Sequence, residues 1–131
     1  GVWCIKALDK AADKLRLQYP SLAISTLLAN PQAHFENKRF IQEDLNRQFS
    51  HELLHGVDKE DGLPETVESL RAREINEILG PKFAETHSTD VVIDLHSTTS
   101  NMGLSVIIAE GDSLMAQAAA YVIHKCGGEK K

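Results

Sequence analysis

Val91-Val92-Ile93-Asp94-Leu95 is a short, largely β-branched run that ends on a histidine, His96. An apolar run of that length reads as a strand buried on both faces, the kind found in a covered, mostly parallel sheet. Leu104 to Ala109 is a second such run, and Ser21 to Ala29 is apolar and β-tolerant. Helical patterns lie between and around them. Val2, Ile5, Leu8, Ala12 and Leu15 recur at spacings of three and four, which predicts a helix over 2–18, stopped by Tyr19-Pro20. Pro64 opens a second helix reaching about Leu79, with Val67, Leu70, Ile75 and Ile78 on its apolar side and Gly80-Pro81 as its stop. Leu114 to His124 is an alanine-rich last helix. The order α-β-(loop)-α-β-β-α predicts an α/β fold of three layers, a mostly parallel sheet with helices on both faces.

The chain has 131 residues, enough for one domain or most of one, and 42% of them are apolar. Its 14 basic and 19 acidic residues give a net charge of -5, which offers no support for nucleic-acid binding. No 18-residue apolar stretch exists, so no membrane span is expected. Cys4 and Cys126 lie at opposite ends without metal-type spacing, and a cytoplasmic, reducing setting is expected. Gly1-Val2-Trp3 opens directly in helical pattern without a capping residue, as though the start were cut into an existing element. The end, Gly127-Gly128-Glu129-Lys130-Lys131, reads as a loop or a second cut.

Ligands in open α/β sheets bind beyond the carboxyl ends of strands. His96 would stand at such an end, where an imidazole can hold a metal or move a proton. Asp94, two residues back, would point to the same side and could orient His96. The plain alternative is a histidine that hydrogen-bonds a turn. Residues 31–62 show no clear period, and a long irregular stretch inside a domain tends to be functional. There Arg39, Asp44, Asn46 and Arg47 form a second constellation: two guanidinium groups could bind a carboxylate, with the aspartate holding one arginine in place. The alternative is a solvated charged loop. His51-Glu52-Leu53-Leu54-His55 fits the H-E-x-x-H pattern of zinc proteases, with Glu52 as general base. Gly56 follows at once, the flanks are polar and position 58 is Asp, all of which count against that reading.

Taken in order, Asn30-Pro31, Arg39, Asp44-Leu45-Asn46-Arg47, Arg71-Ala72-Arg73-Glu74-Ile75-Asn76, Leu79-Gly80-Pro81-Lys82 and Asp94-Leu95-His96-Ser97-Thr98-Thr99-Ser100-Asn101-Met102-Gly103 resemble the aspartoacylase family. The resemblance runs from Gly1 to about Ala109. It implies a zinc-dependent amidohydrolase on a carboxypeptidase-like α/β fold, holding one zinc ion and cleaving small N-acyl amino acids such as N-acetylaspartate. By the same resemblance, His96 matches the third zinc ligand, Arg39, Asn46 and Arg47 match contacts to the substrate carboxylate, and Asp44 supports their loop. The family's other two zinc ligands belong upstream of this sequence, and its catalytic glutamate beyond Lys131. The chain is therefore expected to be a partial catalytic domain without turnover of its own. An inactive truncated chain or interaction module is the alternative from a different class, and exposed apolar edges would favour homo-oligomers.

Overall fold

The computed structural model describes residues 2–55, 65–96 and 105–127. The chain divides into two units, Gly1–Leu95 and His96–Lys131. The polar run Ser97 to Gly103, Gly56, Asp58 and Pro64 fall outside the described residues.

In the first unit, α1 spans Val2–Gln18 as its periodicity predicts. Leu8, Ala12 and Leu15 line a shallow groove against Ile24 and Ser25, and the Thr26 hydroxyl donates to Asp9 Oδ1 at 2.8 Å. The helix closes with Tyr19 N–H on the Leu15 carbonyl (2.8 Å), and a turn follows in which Leu22 N–H reaches the Tyr19 carbonyl (3.0 Å). Pro20 sets the backbone for that turn and cannot prolong the helix.

Residues 31–55 hold more regular structure than their sequence suggests. Helix α2 is Pro31–Phe35, a 3-10 turn is Leu45–Arg47, and α3 is His51–His55. Each is too short to show a period, and local caps define two of them. The Asn30 side chain accepts from Ala33 N–H while Pro31 fills a first-turn position of α2 that needs no donor. The Asp44 side chain accepts from Asn46 N–H and starts the 3-10 turn.

Helix α4 is Val67–Leu79. Its start is fixed by a reciprocal cap: Ser69 N–H donates to Thr66 Oγ1 (3.0 Å) and Thr66 N–H donates to Ser69 Oγ (2.9 Å). Its end is fixed by Gly80, whose φ of 95° suits glycine and where an added Cβ would meet Ser88 N at 2.6 Å. The buried face differs from the one expected. Glu68, Ser69, Ala72 and Ile75 are buried, whereas Leu70 and Ile78 are exposed. Leu45, Leu54, Ala72 and Ile75 form the core cluster, with Leu27, Phe49 and Leu79 packed against it. The core thus joins α4 to the 3-10 turn and α3.

The α/β architecture with a mostly parallel sheet is not found. Among the described residues no strand is paired, and the regular structure is helical. The run Val91–Leu95 is exposed along its whole length, Ile93 at 77%. A β-branched run becomes a strand only when a neighbour takes its backbone N–H and C=O groups, and side-chain pattern does not supply that neighbour. Residues 23–29 are likewise unpaired, though their far end is fastened by Arg71.

In the second unit, α5 spans Ser113–Gly127. Asp112 accepts Met115 N–H at 2.9 Å at its start, and Gly111 with φ 81° makes the preceding turn. Val106, Ile107 and Ile108 are exposed, Ile107 at 95%, and do not form the expected strand.

Candidate functional site

The expected carboxylate-binding residues come together in one loop, residues 39–47. Arg39 Nη2 donates to Asp44 Oδ2 at 2.9 Å, and Asp44 Oδ1 accepts Asn46 N–H at 3.1 Å. One carboxylate therefore anchors the first arginine and starts the 3-10 turn that carries Asn46 and Arg47. The Asn46 amide N–H, then the Arg39 and Arg47 charges, hold the Asp44 carboxyl below its ordinary value. The Arg39 side chain remains 69% exposed while Asp44 is 26% exposed, so the pair presents its guanidinium outward. Arg47 is exposed beside them. One outward guanidinium held by a fixed carboxylate, with a second exposed nearby, is suited to an anionic group with two oxygens, such as a carboxylate.

The loop is held from below by a residue that sequence reasoning missed, Glu68. It is fully buried at the start of α4. Its Oε1 accepts Ile41 N–H (2.6 Å) and Asn30 Nδ2 (3.0 Å), and its Oε2 accepts Gln42 N–H (3.1 Å) and Glu43 N–H (3.2 Å). Burial raises the Glu68 pKa, but these four donors outweigh it and the carboxyl stays below its ordinary value. The first turn of α4, with its positive dipole end, also favours the ionised form. Gln42 returns the contact: its Oε1 accepts Val67 N–H at 2.7 Å, a helix N-terminal donor with no partner within the helix. A signal for Glu68 exists in the sequence. Positions 68, 72, 75 and 79 share one helical face, and a glutamate on the face of Ala72, Ile75 and Leu79 is out of place unless it has buried donors.

The other charged residues of the motif region fasten the scaffold. Arg71, only 19% exposed, donates Nε to the Ala29 carbonyl and Nη2 to the Leu28 carbonyl, both at 2.9 Å, and Nη1 to Glu74 at 2.8 Å. Arg73 donates to the Leu53 carbonyl (3.3 Å) and to Glu65 (2.8 Å). Lys82 Nζ donates to the Phe49 carbonyl at 2.9 Å. These bonds tie residues 28–29, α3 and the end of the 3-10 segment to α4.

His51 and His55 do lie on one helical turn, with ring centroids 4.6 Å apart, and Phe83 sits 5.2 Å from His51. Glu52 is held below its ordinary carboxyl value by its own backbone N–H and by Ser50, which weakens it as a general base. Asp94 lies within the first unit's apolar run and is exposed; His96 begins the second unit and is exposed. The strand that was to aim them to one side is not formed. Among the described residues no three His, Cys, Asp or Glu side chains converge as a metal site. The two histidines of the H-E-x-x-H pattern thus have no third metal-type side chain beside them among the described residues. No helix among them is long and apolar enough to cross a membrane.

The succinylglutamate desuccinylase/aspartoacylase catalytic domain matches residues 1–124. An N-acyl-aromatic-L-amino acid amidohydrolase (carboxylate-forming) of Xenopus laevis is 43% identical over 114 residues, covering 87% of this chain and 35% of that protein. A protein named probable aspartoacylase from Nostoc is 41% identical over 122 residues, covering 93% of this chain and 38% of its own length. The aspartoacylase of Danio rerio is 37% identical over 109 residues, covering 83% and 33%. The chain thus spans about a third of the length of these relatives. No solved structure matches it.

Proposed function

The chain belongs to the succinylglutamate desuccinylase/aspartoacylase catalytic-domain family, and we propose that the protein carrying it hydrolyses small N-acyl amino acids to a carboxylate and the free amino acid. The observation that carries this reading is the loop 39–47, in which Asp44 pins Arg39 and starts the turn bearing Asn46 and Arg47. Arg39, Asn46 and Arg47 would hold the substrate carboxylate, and so fix the amide bond relative to the reacting groups. Every N-acyl amino acid has such a carboxylate, so the loop serves the whole substrate class. The names of the relatives include both aspartoacylase and an amidohydrolase of N-acyl-aromatic amino acids. N-acetylaspartate and N-acetylated aromatic amino acids are therefore the substrates to compare.

Zinc is part of the proposal through the family resemblance. His96 is the candidate ligand in this chain, and one imidazole alone cannot hold a catalytic zinc tightly. Residues 1–131 in isolation are accordingly expected to give no turnover. The test is acetate release from N-acetylaspartate and N-acetylphenylalanine by the full-length protein, before and after chelation. Hydrolysis lost on chelation and restored by zinc is expected. Absence of hydrolysis of every N-acyl amino acid tried, or turnover indifferent to chelator, would sink the reading.

A further inference from the structure

Glu68 makes a pattern of contacts that core formation alone does not require. A glutamate on the inner face of a helix costs several kcal/mol to bury unless its oxygens are fully engaged. Four donors meet this carboxylate: the backbone N–H groups of residues 41–43 and the side chain of Asn30. Residues 41–43 stand between Arg39 and Asp44. Their N–H groups point at one carboxylate, so the intervening backbone has a single way to run. Gln42 then closes the contact in the other direction on Val67 N–H, and Gln48 Nε2 donates to Glu43 Oε2 at 3.0 Å. Asn30 is shared: its Oδ1 caps α2 through Ala33 N–H at 3.1 Å while its Nδ2 faces Glu68.

We infer that Glu68 is a positioning residue for substrate binding: by gathering the N–H groups of residues 41–43 it sets the spacing between Arg39 and the turn that carries Asn46 and Arg47. The inference rests on the carboxylate-binding role of that loop. It assigns to a buried, non-contacting glutamate the job of shaping an exposed anion site. Glutamine is a poor substitute. It offers one acceptor oxygen where the structure uses two, and its amide would turn N–H toward N–H. Aspartate keeps the charge but is one methylene short of the loop.

The experiment compares wild type, Glu68→Gln and Asn30→Ser in the full-length protein, with N-acetylaspartate or N-acetylphenylalanine as substrate, whichever wild type cleaves. Asn30→Ser keeps an oxygen for the α2 cap and removes only the donor to Glu68. For Glu68→Gln, KM is expected to rise about tenfold or more with kcat within about threefold, the signature of lost binding rather than lost chemistry. Asn30→Ser should raise KM by roughly twofold to threefold, with kcat unchanged. Amide hydrogen exchange should quicken at Ile41, Gln42 and Glu43 in both variants and stay slow in the interior of α4. An unchanged KM in Glu68→Gln, or a fall in kcat with exchange quickened throughout the unit, would overturn the inference. If Glu68→Gln does not fold, Asn30→Ser decides, and an unaltered KM there overturns it. A wild type that cleaves no N-acyl amino acid instead sinks the functional reading, and with it the substrate role of Glu68.

Discussion

The loop 39–47 and the run Val91–Leu95 drew attention in the sequence for opposite reasons, and they reverse their expected order. The loop is polar and aperiodic, yet each of its turns has a named partner: Asp44 for Arg39 and Asn46 N–H, Glu68 for residues 41–43, Gln42 for Val67 N–H. The run is apolar and regular, yet it forms no strand among the described residues and is exposed throughout. A few carboxylates are enough to fix the polar loop, Asp44 from within it and Glu68 from α4, because each gathers several N–H donors. A strand needs a whole ladder of backbone partners, and side-chain pattern supplies none of them. In this chain, hydrogen-bond chemistry locates the ordered site better than hydrophobic pattern does.

That comparison can be broken by substitution. Ile75 is buried in the core cluster and Ile93 is 77% exposed, although the sequence pattern assigns both isoleucines to buried positions. Ile75→Ala is expected to lower unfolding free energy by about 2–4 kcal/mol and Ile93→Ala by less than about 0.5 kcal/mol, read by urea denaturation. Equal losses would mean that the run is as well packed as the core. A smaller effect follows from the carboxylates. Glu68 and Asp44 both have folded-state pKa values below their ordinary ones. Their stabilisation is therefore complete above the ordinary carboxyl range and is lost as pH falls through it toward the folded values. Wild type should lose its stability advantage over Glu68→Gln as pH falls below the ordinary glutamate value of 4.5. An advantage that persists, or grows, in acid would show that the Glu68 carboxylate is not ionised in the fold.

Much of the helical framework was legible. The 3.6-residue period and the Tyr19-Pro20 and Gly80-Pro81 stops placed α1 and the end of α4, and the alanine-rich segment gave α5. The start of α4 moved from Pro64 to Val67 because Thr66 and Ser69 cap each other, a contact between side chains and backbone that periodicity does not weigh. Its inner face was misjudged through Leu70 and Ile78, which are exposed, while Glu68 was passed over as one charge among many. Helix α2 escaped notice, and α3 was met only as the H-E-x-x-H pattern, because five residues show no period. The three strands failed for the physical reason given above: β-branched composition is a preference, and pairing is a tertiary event.

The candidate site was legible unevenly. Arg39, Asp44, Asn46 and Arg47 share one loop as expected, and the proposed support by Asp44 has a concrete form in two hydrogen bonds. Arg71, Arg73 and Lys82 look as ionic as Arg39 in the sequence, but each also turns donors onto backbone carbonyls. Only the placement of those carbonyls tells a fastening arginine from a presenting one.

That distinction between arginines supplies the most direct test. Steady-state kinetics of the full-length protein on the N-acyl amino acid it cleaves best would be measured for Arg47→Ala and for Arg73→Ala. Arg47→Ala is expected to raise KM by about tenfold or more without a loss of thermal stability, and Arg73→Ala to lower stability by roughly 1 kcal/mol with KM nearly unchanged. A KM that moves with Arg73 and stays fixed with Arg47 would contradict the assignment of loop 39–47 as the carboxylate-binding site.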